Sequence, residues 1–494
     1  MKIHLAIDIG SESGRAIVGY LENGEIHTEE IYRFKSQFMQ LRDKSYRNFY
    51  RYHEEILTAL KICSEKYGDS IESIGVDSWG SDFVLLDRQG NILSLPESYR
   101  STSKSDDIAD YIEERFGAKK LYFRCGNQKM PTDTLHQLIR LKKSDSPSLD
   151  NPSGILYVAD TFHYMLGAKP CCEHSLFSYS HIYNADLDDW DTEIMEAFDL
   201  PLSLRTEVSH AGDTIGYVND RILSECGIHK PIPIVTPCSH DTACAALCVP
   251  SHSSDWAFIS SGTWSLMGVE TNGSVRNEKS FKYNFSNSTM PLNCNMFKKN
   301  ITGTWIIQQC FKEWKCSNYD EIVDKAESAK DLDVFIDIDA QEFYSPENMP
   351  AAIAASVLRD FNYKLDTKDI GTVSRIIFES MAMKYTYYLS RLLDACDKSI
   401  SRIYIIGGGS RNRLINQFTA SATGYPVSIG VFEASSVGNI LLQMYGCGEL
   451  KDKYEMREVV MQSFPQTVFE PKEKDVWCRK YKIFEQVALK KNQW

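Results

Sequence analysis

Apolar and polar residues at the start of the chain follow one another in a pattern that predicts three consecutive β-strands. An apolar run over residues 3–7 is followed by a polar, glycine-bearing turn over residues 8–15 and by a second apolar run over residues 16–20. The dipeptide Asn23-Gly24 comes next, and Asn-Gly between apolar runs is a strong signal for a tight hairpin. We therefore predict a third antiparallel strand that starts at the hairpin and extends to Ile31.

A second copy of this pattern appears past the midpoint of the chain. Residues 256–259 are strand-like, residues 260–264 form a small polar turn, and residues 265–270 return as a strand. The dipeptide Asn272-Gly273 predicts another hairpin at the end of the copy. The repeat predicts two halves built on one plan, each of which opens with a hairpin-rich sheet and continues with helices.

Other segments predict strands mixed with helices, which is typical of an α/β fold. The predicted elements are a strand over residues 71–77, a returning strand over 83–86, a buried strand over 402–406, and helices over 372–393 and 414–423. Gly424 and Pro426 follow the last helix and form the usual stop signal.

The length of the chain, 494 residues, exceeds what one hydrophobic core usually serves. We predict two domains, residues 1–245 and 246–494. Since no low-complexity linker separates them, we expect the domains to pack closely with a cleft between them.

The net charge of −13 disfavours a nucleic-acid partner, for which a basic surface is expected. An anionic ligand would have to be held by local dipoles and a metal ion, because the overall field repels it. The first residues enter a strand pattern directly, and we find no leader-like or long apolar segment. We therefore expect a cytoplasmic protein without a membrane partner.

The segment Ser239-His240-Asp241-Thr242-Ala243 places a carboxylate where a strand-like run yields to small helix-forming residues. A positioned Asp carboxylate can accept the proton of a hydroxyl group while the hydroxyl oxygen acts as a nucleophile. Asp241 is therefore a candidate general base. The alternative is that Asp241 caps the helix start, because Asp accepts hydrogen bonds from the first amides of a helix.

Two of the glycine turns follow strands and have the composition of phosphate-binding turns. The first offers Ser11, Ser13, Gly14 and Arg15, with Asp8 suited to hold a hydrated magnesium ion. The second offers the Thr263 hydroxyl and the amides around Gly262. Neither matches GxxxxGK[ST] or GxGxxG, and each could instead be a plain hairpin connection.

A third turn, Gly407-Gly408-Gly409 followed by Ser410, has no side chains over its first three residues. Such a turn lets a flat ring or a ribose approach the backbone, which favours an adenosine site. An ordinary strand-to-helix turn is the alternative.

With these residues placed, the chain resembles the FGGY family of carbohydrate kinases, and within it most closely the rhamnulokinases. The motifs that carry the resemblance are the three glycine turns, the segment over residues 239–243, and the longer strings over residues 76–87, 259–268 and 432–439. The resemblance covers most of the chain. It implies an α/β fold of two ribonuclease H-like domains, as in actin, hexokinase and Hsp70, and an enzyme that uses ATP and Mg²⁺.

The resemblance also implies roles for individual residues. Asp241 would be the catalytic base and Asp8 the residue near the metal ion. The small-molecule ketose would contact Gly80, His240, Thr242 and Asn300. The nucleotide would contact Ser11, Glu12, Ser13, Gly14, Arg15, Thr263, Gln308, Gly407 and Gly408. Without the family, Asn300 could equally be the cap of a helix that begins there and includes Gln308.

Two segments depart from the family pattern and bear on the substrate. Residues 99–104 lack the expected Asp and second Arg, and residues 285–288 read Phe-Ser-Asn-Ser where rhamnulokinases usually have Asn-Glu-Gly. The activity that the resemblance favours is phosphorylation of the C1 hydroxyl of L-rhamnulose. The alternatives are a kinase for another ketose or polyol such as L-fuculose or L-xylulose, a non-catalytic sugar or nucleotide sensor, and an actin-like ATPase.

Overall fold

The computed structural model describes residues 1–10, 13–42, 44–98, 107–316 and 318–489. The chain forms two compact units, each assembled from separate stretches of sequence. Unit 1 consists of Met1–His252, Thr271–Phe297 and Ala434–Ser463, and unit 2 consists of Ser253–Glu270, Lys298–Glu433 and Phe464–Trp494. The domain boundary placed between residues 245 and 246 stays a prediction.

The strands are numbered in chain order. They are β1 (Ile3–Ile9), β2 (Ser13–Glu22), β3 (Glu25–Lys35), β4 (Phe38–Leu41), β5 (Lys44–Arg47), β6 (Ile71–Ser78), β7 (Phe83–Leu86), β8 (Gly154–Tyr157), β9 (Cys171–Glu173), β10 (Tyr183–Asn184), β11 (Asp189–Trp190), β12 (Glu207–Ser209), β13 (Thr214–Tyr217), β14 (Pro233–Val235), β15 (Trp256–Ser261), β16 (Trp264–Thr271), β17 (Ser286–Met290), β18 (Cys294–Thr302), β19 (Arg402–Ile406), β20 (Val427–Ile429) and β21 (Thr467–Phe469).

The helices are numbered in the same way. They are α1 (Phe49–Tyr67), α2 (Asp107–Arg115), α3 (Ala118–Cys125), α4 (Thr134–Lys143), α5 (Val158–Leu166), α6 (His174–Phe177), α7 (Thr192–Ala197), α8 (Asp220–Glu225), α9 (Asp241–Leu247), α10 (Glu278–Lys282), α11 (Trp305–Trp314), α12 (Tyr319–Ser328), α13 (Met349–Phe361), α14 (Ile370–Cys396), α15 (Arg413–Thr423), α16 (Ala434–Gly446), α17 (Lys453–Ser463) and α18 (Lys474–Ile483).

The main sheet of unit 1 has the strand order β13-β14-β6-β1-β2-β3. Strand β1 is antiparallel to β2 and parallel to β6, and β14 is parallel to β6. All residues of β1 are buried, and α1 and α16 pack against this strand. A strand covered by helices favours apolar residues, which explains why the sequence of β1 is apolar except at His4 and Asp8.

The sheet of unit 2 repeats this arrangement. Its order includes β18-β16-β15-β19-β20-β21, and residues 298–302 of β18 belong to the unit. Strand β15 is antiparallel to β16 and parallel to β19, which is parallel to β20. The order and direction β2-β1-β6-β14 of unit 1 therefore recur as β16-β15-β19-β20. The prediction of two α/β halves built on one plan is confirmed.

The predicted elements over residues 71–77, 402–406, 372–393 and 414–423 are confirmed as β6, β19, α14 and α15. Two predicted connections are wrong. Strand β7 does not return along β6 but pairs with β8. No hairpin closes at Asn272-Gly273, because the next element is α10, which Asn277 starts with a capping box.

A close helix contact within unit 1 positions the segment that contains Asp241. Helix α9 begins at Asp241 and packs against α16. At Gly438 of α16 the backbones approach so closely that an added Cβ atom would lie 2.1 Å from the carbonyl oxygen of Cys244 in α9. Only glycine leaves room for this approach, so Gly438 sets how near α9 lies to α16.

Candidate active site

Two aspartates lie side by side at the carboxyl edge of the unit 1 sheet. Asp8 of β1 and Asp77 of β6 are partners in the parallel ladder, and both are buried. In open α/β sheets this edge is where ligands bind, because the loops that follow parallel strands meet there. The sequence analysis selected Asp8 and missed Asp77.

Two side chains, one charged and one neutral, stabilise the carboxylate of Asp8. Arg15, its partner on the antiparallel strand β2, approaches Asp8 Oδ2 with Nε at 3.3 Å and with its Nη2 atom at 3.1 Å. The Ser436 hydroxyl of α16 donates a hydrogen bond to the same oxygen at 2.9 Å. Arg15 is therefore tied to Asp8, which holds its guanidinium at the sheet edge.

Asp77 has a different environment. Asn439 Nδ2 donates to Asp77 Oδ2 at 2.6 Å, while the buried Asp77 Oδ1 has no hydrogen-bond partner among the described residues. Burial, and then the nearby carboxylate of Asp8, raises the pKa of Asp77 well above its ordinary value, and Asp241 acts in the same direction. The negative charges of Asp8 and Asp241 therefore both oppose ionisation of Asp77 within unit 1.

We predict that Asp77→Asn stabilises the fold at neutral pH. A carboxyl group whose pKa is raised in the folded state contributes stability below its unfolded pKa of about 3.9, and this contribution is lost as pH rises through the folded pKa. Asn keeps the acceptor for Asn439 and removes the ionisation. The melting temperature of the variant should exceed that of the wild type at pH 7–8.

The difference should shrink towards pH 4, because the carboxyl group is then protonated in the folded state and about half protonated in the unfolded state. Thermal melts over pH 4–8 measure it, with Asp110→Asn on the exposed surface of α2 as the control. A variant that melts below the wild type at pH 7 would contradict the prediction.

Asp241 is the first residue of α9, and its side chain is 30% exposed. Its Oδ1 accepts hydrogen bonds from the Thr242 amide at 2.6 Å and the Thr242 hydroxyl at 3.1 Å, and His240 Nε2 lies 3.8 Å away. The capping position is occupied by His240, whose side chain makes no capping bond. Asp241 therefore lies one residue past the N-cap position, but its carboxylate accepts a hydrogen bond from one of the first helix amides, as the helix-cap interpretation expects. The same carboxylate is left partly open to solvent.

The predicted sugar residues of unit 1 lie near the same edge. The end of β6 pairs with the segment before Asp241, since Ser78, its last residue, forms a bridge with His240 and donates its amide to Ser239 O at 2.9 Å. Gly80 follows this strand end, and the His240 ring stacks on Tyr179 with centroids 6.1 Å apart. The structure thus brings Gly80, His240 and Thr242 to the edge that carries Asp8.

In unit 2, the turn over residues 260–264, which contains Thr263, is hydrogen-bonded to the start of α11. The amide and the hydroxyl of Thr304 each donate to Gly262 O at 2.9 Å. The Thr263 hydroxyl donates to Gln308 Oε1 at 3.4 Å, and Gln308 Nε2 donates to Thr304 Oγ1 at 3.0 Å. Thr263 and Gln308, which the sequence analysis assigned to the nucleotide, are therefore neighbours in one hydrogen-bonded turn.

The glycine turn after β19 packs on the end of its parallel neighbour β15. Gly407 has φ 84°, the left-handed region that favours glycine, and a Cβ atom on Gly409 would lie 2.2 Å from Ser261 Oγ. Nothing lies within 4 Å of the Cβ position of Gly408. The turn is closely packed against β15 at Gly409 and has free space beside the backbone at Gly408. A planar ligand needs such space to approach the backbone.

Asn300 lies in the middle of strand β18, in the part that belongs to unit 2. The helix that follows begins at Trp305 with Thr304 as its cap. The interpretation of Asn300 as a helix cap is therefore wrong. Ser11 and Glu12, assigned to the nucleotide, and residues 99–104, where the family pattern changes, lie outside the described residues.

Several residues of this region escaped the sequence analysis. Ser436 and Asn439 bind the two aspartates, and Gly438 lies between them on α16. Residues 432–439 were noted as a family-like string, but nothing in the string itself shows that it lies at the carboxyl edge of β1 and β6.

The residues at this edge can be tested for their fit to Mg²⁺. This ion prefers oxygen ligands and usually keeps several waters, with one or two carboxylates and substrate phosphates completing the shell. The buried, unpartnered Asp77 Oδ1 and the adjacent Asp8 supply such oxygens. Among the described residues, no group of three or more His, Cys, Asp or Glu side chains could hold a metal ion by itself. The site fits a hydrated ion held partly by phosphates.

The fold and this edge define a two-domain α/β kinase, and comparisons with known proteins identify its family. The N-terminal domain model of the FGGY family of carbohydrate kinases matches residues 3–248, and the C-terminal domain model matches residues 257–447. The chain belongs to the FGGY family of carbohydrate kinases and is a sugar kinase. Members of this family use ATP as a substrate and typically require Mg²⁺.

Curated relatives match over nearly their whole length. The chain is 32% identical to a rhamnulokinase of Bacteroides thetaiotaomicron over 476 residues, which cover 96% of this chain and 97% of the relative. It is 31% identical to a rhamnulokinase of Bacillus subtilis over 474 residues, which cover 96% of each protein. The resemblance found in the sequence is confirmed.

Solved structures share the fold at low sequence identity. A ligand-bound xylulose kinase from Lactobacillus acidophilus superposes with a TM-score of 0.81 at 13% identity, over 98% of this chain and 97% of that one. A glycerol kinase from Plasmodium falciparum with ADP superposes with a TM-score of 0.79 at 12% identity, over 99% of each. These neighbours confirm the α/β, two-domain architecture.

Within the described part of the chain, the helices are too short or too polar to span a lipid bilayer.

Proposed function

We propose that the protein transfers the γ-phosphoryl group of ATP to the C1 hydroxyl of L-rhamnulose and forms L-rhamnulose 1-phosphate. The observation that carries the reaction is the partly exposed Asp241 carboxylate at the edge that holds Asp8 and Asp77. The substrate is supported by the near full-length similarity to curated rhamnulokinases.

In this mechanism Asp241 accepts the proton of the C1 hydroxyl as its oxygen attacks the γ-phosphorus. The new oxygen–phosphorus bond forms while the bond between the γ-phosphorus and the β–γ bridging oxygen breaks, and ADP leaves. The hydrogen bonds from Thr242 fix the orientation of the carboxylate. A bound Mg²⁺, held through Asp8 and water, would neutralise part of the phosphate charge.

The remaining contacts are proposed from the resemblance to the family. The proposed sugar contacts are Gly80, His240, Thr242 and Asn300. The proposed nucleotide contacts are Ser11, Glu12, Ser13, Gly14, Arg15, Thr263, Gln308, Gly407 and Gly408. Gly14 packs closely against the Phe34 ring, where a Cβ atom would lie 2.1 Å from Cζ, so only glycine fits at this position.

A second candidate is a kinase for another ketose, such as L-fuculose or L-xylulose. The observation that favours it is the departure over residues 285–288, which read Phe-Ser-Asn-Ser where rhamnulokinases usually have Asn-Glu-Gly. Residues 286–288 lie in strand β17. A missing carboxylate changes which hydroxyl groups of a sugar can be bound.

The test is ADP release from ATP and magnesium with a panel of ketoses headed by L-rhamnulose, L-fuculose and L-xylulose, against a control without sugar. Fast turnover with L-rhamnulose supports the first proposal, and preference for another ketose supports the second. ADP release that does not depend on any sugar would contradict both.

We predict that Asp8→Ala raises the magnesium concentration needed for half-maximal activity and lowers turnover. The change removes a carboxylate beside the proposed ion and removes the ion pair between Asp8 and Arg15. A magnesium titration of sugar-dependent ADP release measures the effect. Ser436→Ala, which removes a hydrogen bond to Asp8 and keeps its carboxylate, serves as the control for a structural change around Asp8. An unchanged titration in Asp8→Ala would remove Asp8 from the metal role.

A further inference from the structure

Two buried carboxyl groups hold the backbone that leads into Asp241. Asp160 lies in the first turn of α5 and Glu173 ends β9, and both are almost fully buried. The Ser239 hydroxyl donates to Asp160 Oδ1 and the Ser239 amide donates to Glu173 Oε2, each at 2.8 Å. Neither carboxyl group has a part in the mechanism above.

Glu173 also holds the next residue of the segment through Ser175. Its Oε2 accepts hydrogen bonds from the Ser175 amide at 2.9 Å and from the Ser175 hydroxyl. The Ser175 oxygen in turn accepts a hydrogen bond from the His240 amide at 3.2 Å. The Ser239 amide therefore donates a hydrogen bond directly to Glu173, and the His240 amide donates to the Ser175 hydroxyl, which Glu173 binds.

This arrangement favours an ionised Glu173. Three donors converge on one of its oxygens, whereas the buried Asp160 Oδ2 has no hydrogen-bond partner among the described residues. A buried carboxylate is tolerated only when hydrogen bonds replace its hydration. Removal of the Glu173 carboxylate would leave these donors without their acceptor and release the strand end before α9.

We propose that Glu173 is a positioning residue for the general base: its carboxylate fixes the backbone of Ser239 and His240 and so aims the Asp241 carboxylate at the sugar hydroxyl. The inference rests on the proposed function of Asp241. Because α9 begins at Asp241, the direction of this carboxylate depends on the backbone immediately before it. A small rotation there moves the base away from the reacting proton.

Glu173→Ala should lower kcat by about 10- to 100-fold, while KM for the sugar changes less than about threefold, since misplacement of a catalytic group by about 1 Å costs up to that factor. Glu173→Gln, which keeps an acceptor oxygen, should fall between the Ala variant and the wild type. The matched control is Glu207→Ala on the neighbouring strand β12, where the carboxylate is exposed and pairs with Lys169.

The pH profile separates positioning from a general loss of stability. Burial raises the pKa of Glu173 to about 7 and that of Asp160 to about 8. The titratable groups around the pair are His174, Tyr157, Cys171, Cys172, Cys238 and Cys244. As pH falls through about 7, protonation of Glu173 weakens its hold on the amide donors. Wild-type kcat should therefore decline below pH 7, and this decline should be absent from Glu173→Gln.

The kinetic series includes Asp241→Asn, so that the two proposals fail separately. Absence of sugar-dependent turnover in the wild type would overturn the proposed function. Wild-type kcat in Glu173→Ala, or a loss equal at every pH in Glu173→Gln, would overturn the positioning role while Asp241→Asn still shows its own effect. If Glu173→Ala does not fold, Ser175→Ala keeps the Glu173 carboxylate and removes the hydroxyl that links it to the His240 amide. An unchanged kcat in this variant would also overturn the role.

Discussion

Replacement of Asp241 by Asn should lower kcat by about 10²–10⁴-fold, the range that general-base catalysis usually supplies. Asn has nearly the same size as Asp, and its carbonyl oxygen can still accept the hydrogen bond that the Thr242 amide donates to Asp241. It cannot take the proton of the sugar hydroxyl. KM for the sugar should therefore change little, and steady-state kinetics with the preferred ketose measure both constants.

Asp220→Asn is the matched control for this variant. Asp220 is also the first residue of a helix, α8, and its side chain is exposed. The control should have wild-type kinetics. Near wild-type turnover in Asp241→Asn would show that Asp241 is not the base, because no charge-neutral side chain of this shape can replace it in proton transfer.

The second large effect is expected for Gly438→Ala. The added methyl group would lie 2.1 Å from the Cys244 carbonyl oxygen, so α9 and α16 must move apart. Forcing extra volume into a packed contact costs about 1–3 kcal/mol. Because α9 carries Asp241 while α16 carries Ser436 and Asn439, the displacement should lower activity as well as stability.

Thermal denaturation and kcat of the same preparation test this prediction. A loss of about 2 kcal/mol corresponds to a decrease in Tm of roughly 4–8 °C for a domain of this size. Gly273→Ala is the control, because nothing lies within 4 Å of its Cβ position. If Gly438→Ala matches Gly273→Ala in Tm and kcat, the close approach of the two helices is unimportant.

Much of the fold could be predicted from local patterns. The strand-turn-strand units at the start of each half, the buried strand β19 and the long helix α14 are encoded by residues close together in sequence. The partners of short strands are not encoded in this way. Strand β7 pairs with β8, which lies far along the chain, because hydrogen bonding between strands depends on which segments the packed core brings together.

The site was predicted in the same uneven way. Asp8, Asp241 and the glycine turns stood out because each combines a reactive or flexible residue with a strand end. Asp77 did not stand out, because nothing in the residues around it shows that it pairs with Asp8 in the sheet. The hydrogen bonds from Ser436 and Asn439 join residues that are distant in sequence.

The sequence by itself determined the class of fold, the repeat of its plan, and the residue types available for phosphoryl transfer, because periodicity and turn chemistry act over a few neighbouring residues. Only the tertiary structure decided that Asp8 lies beside Asp77, that α16 holds both aspartates, and that Glu173 supports the backbone before Asp241. These contacts depend on distances in the folded chain, and the carboxyl groups acquire their charge and direction only where burial and hydrogen bonding act on them together.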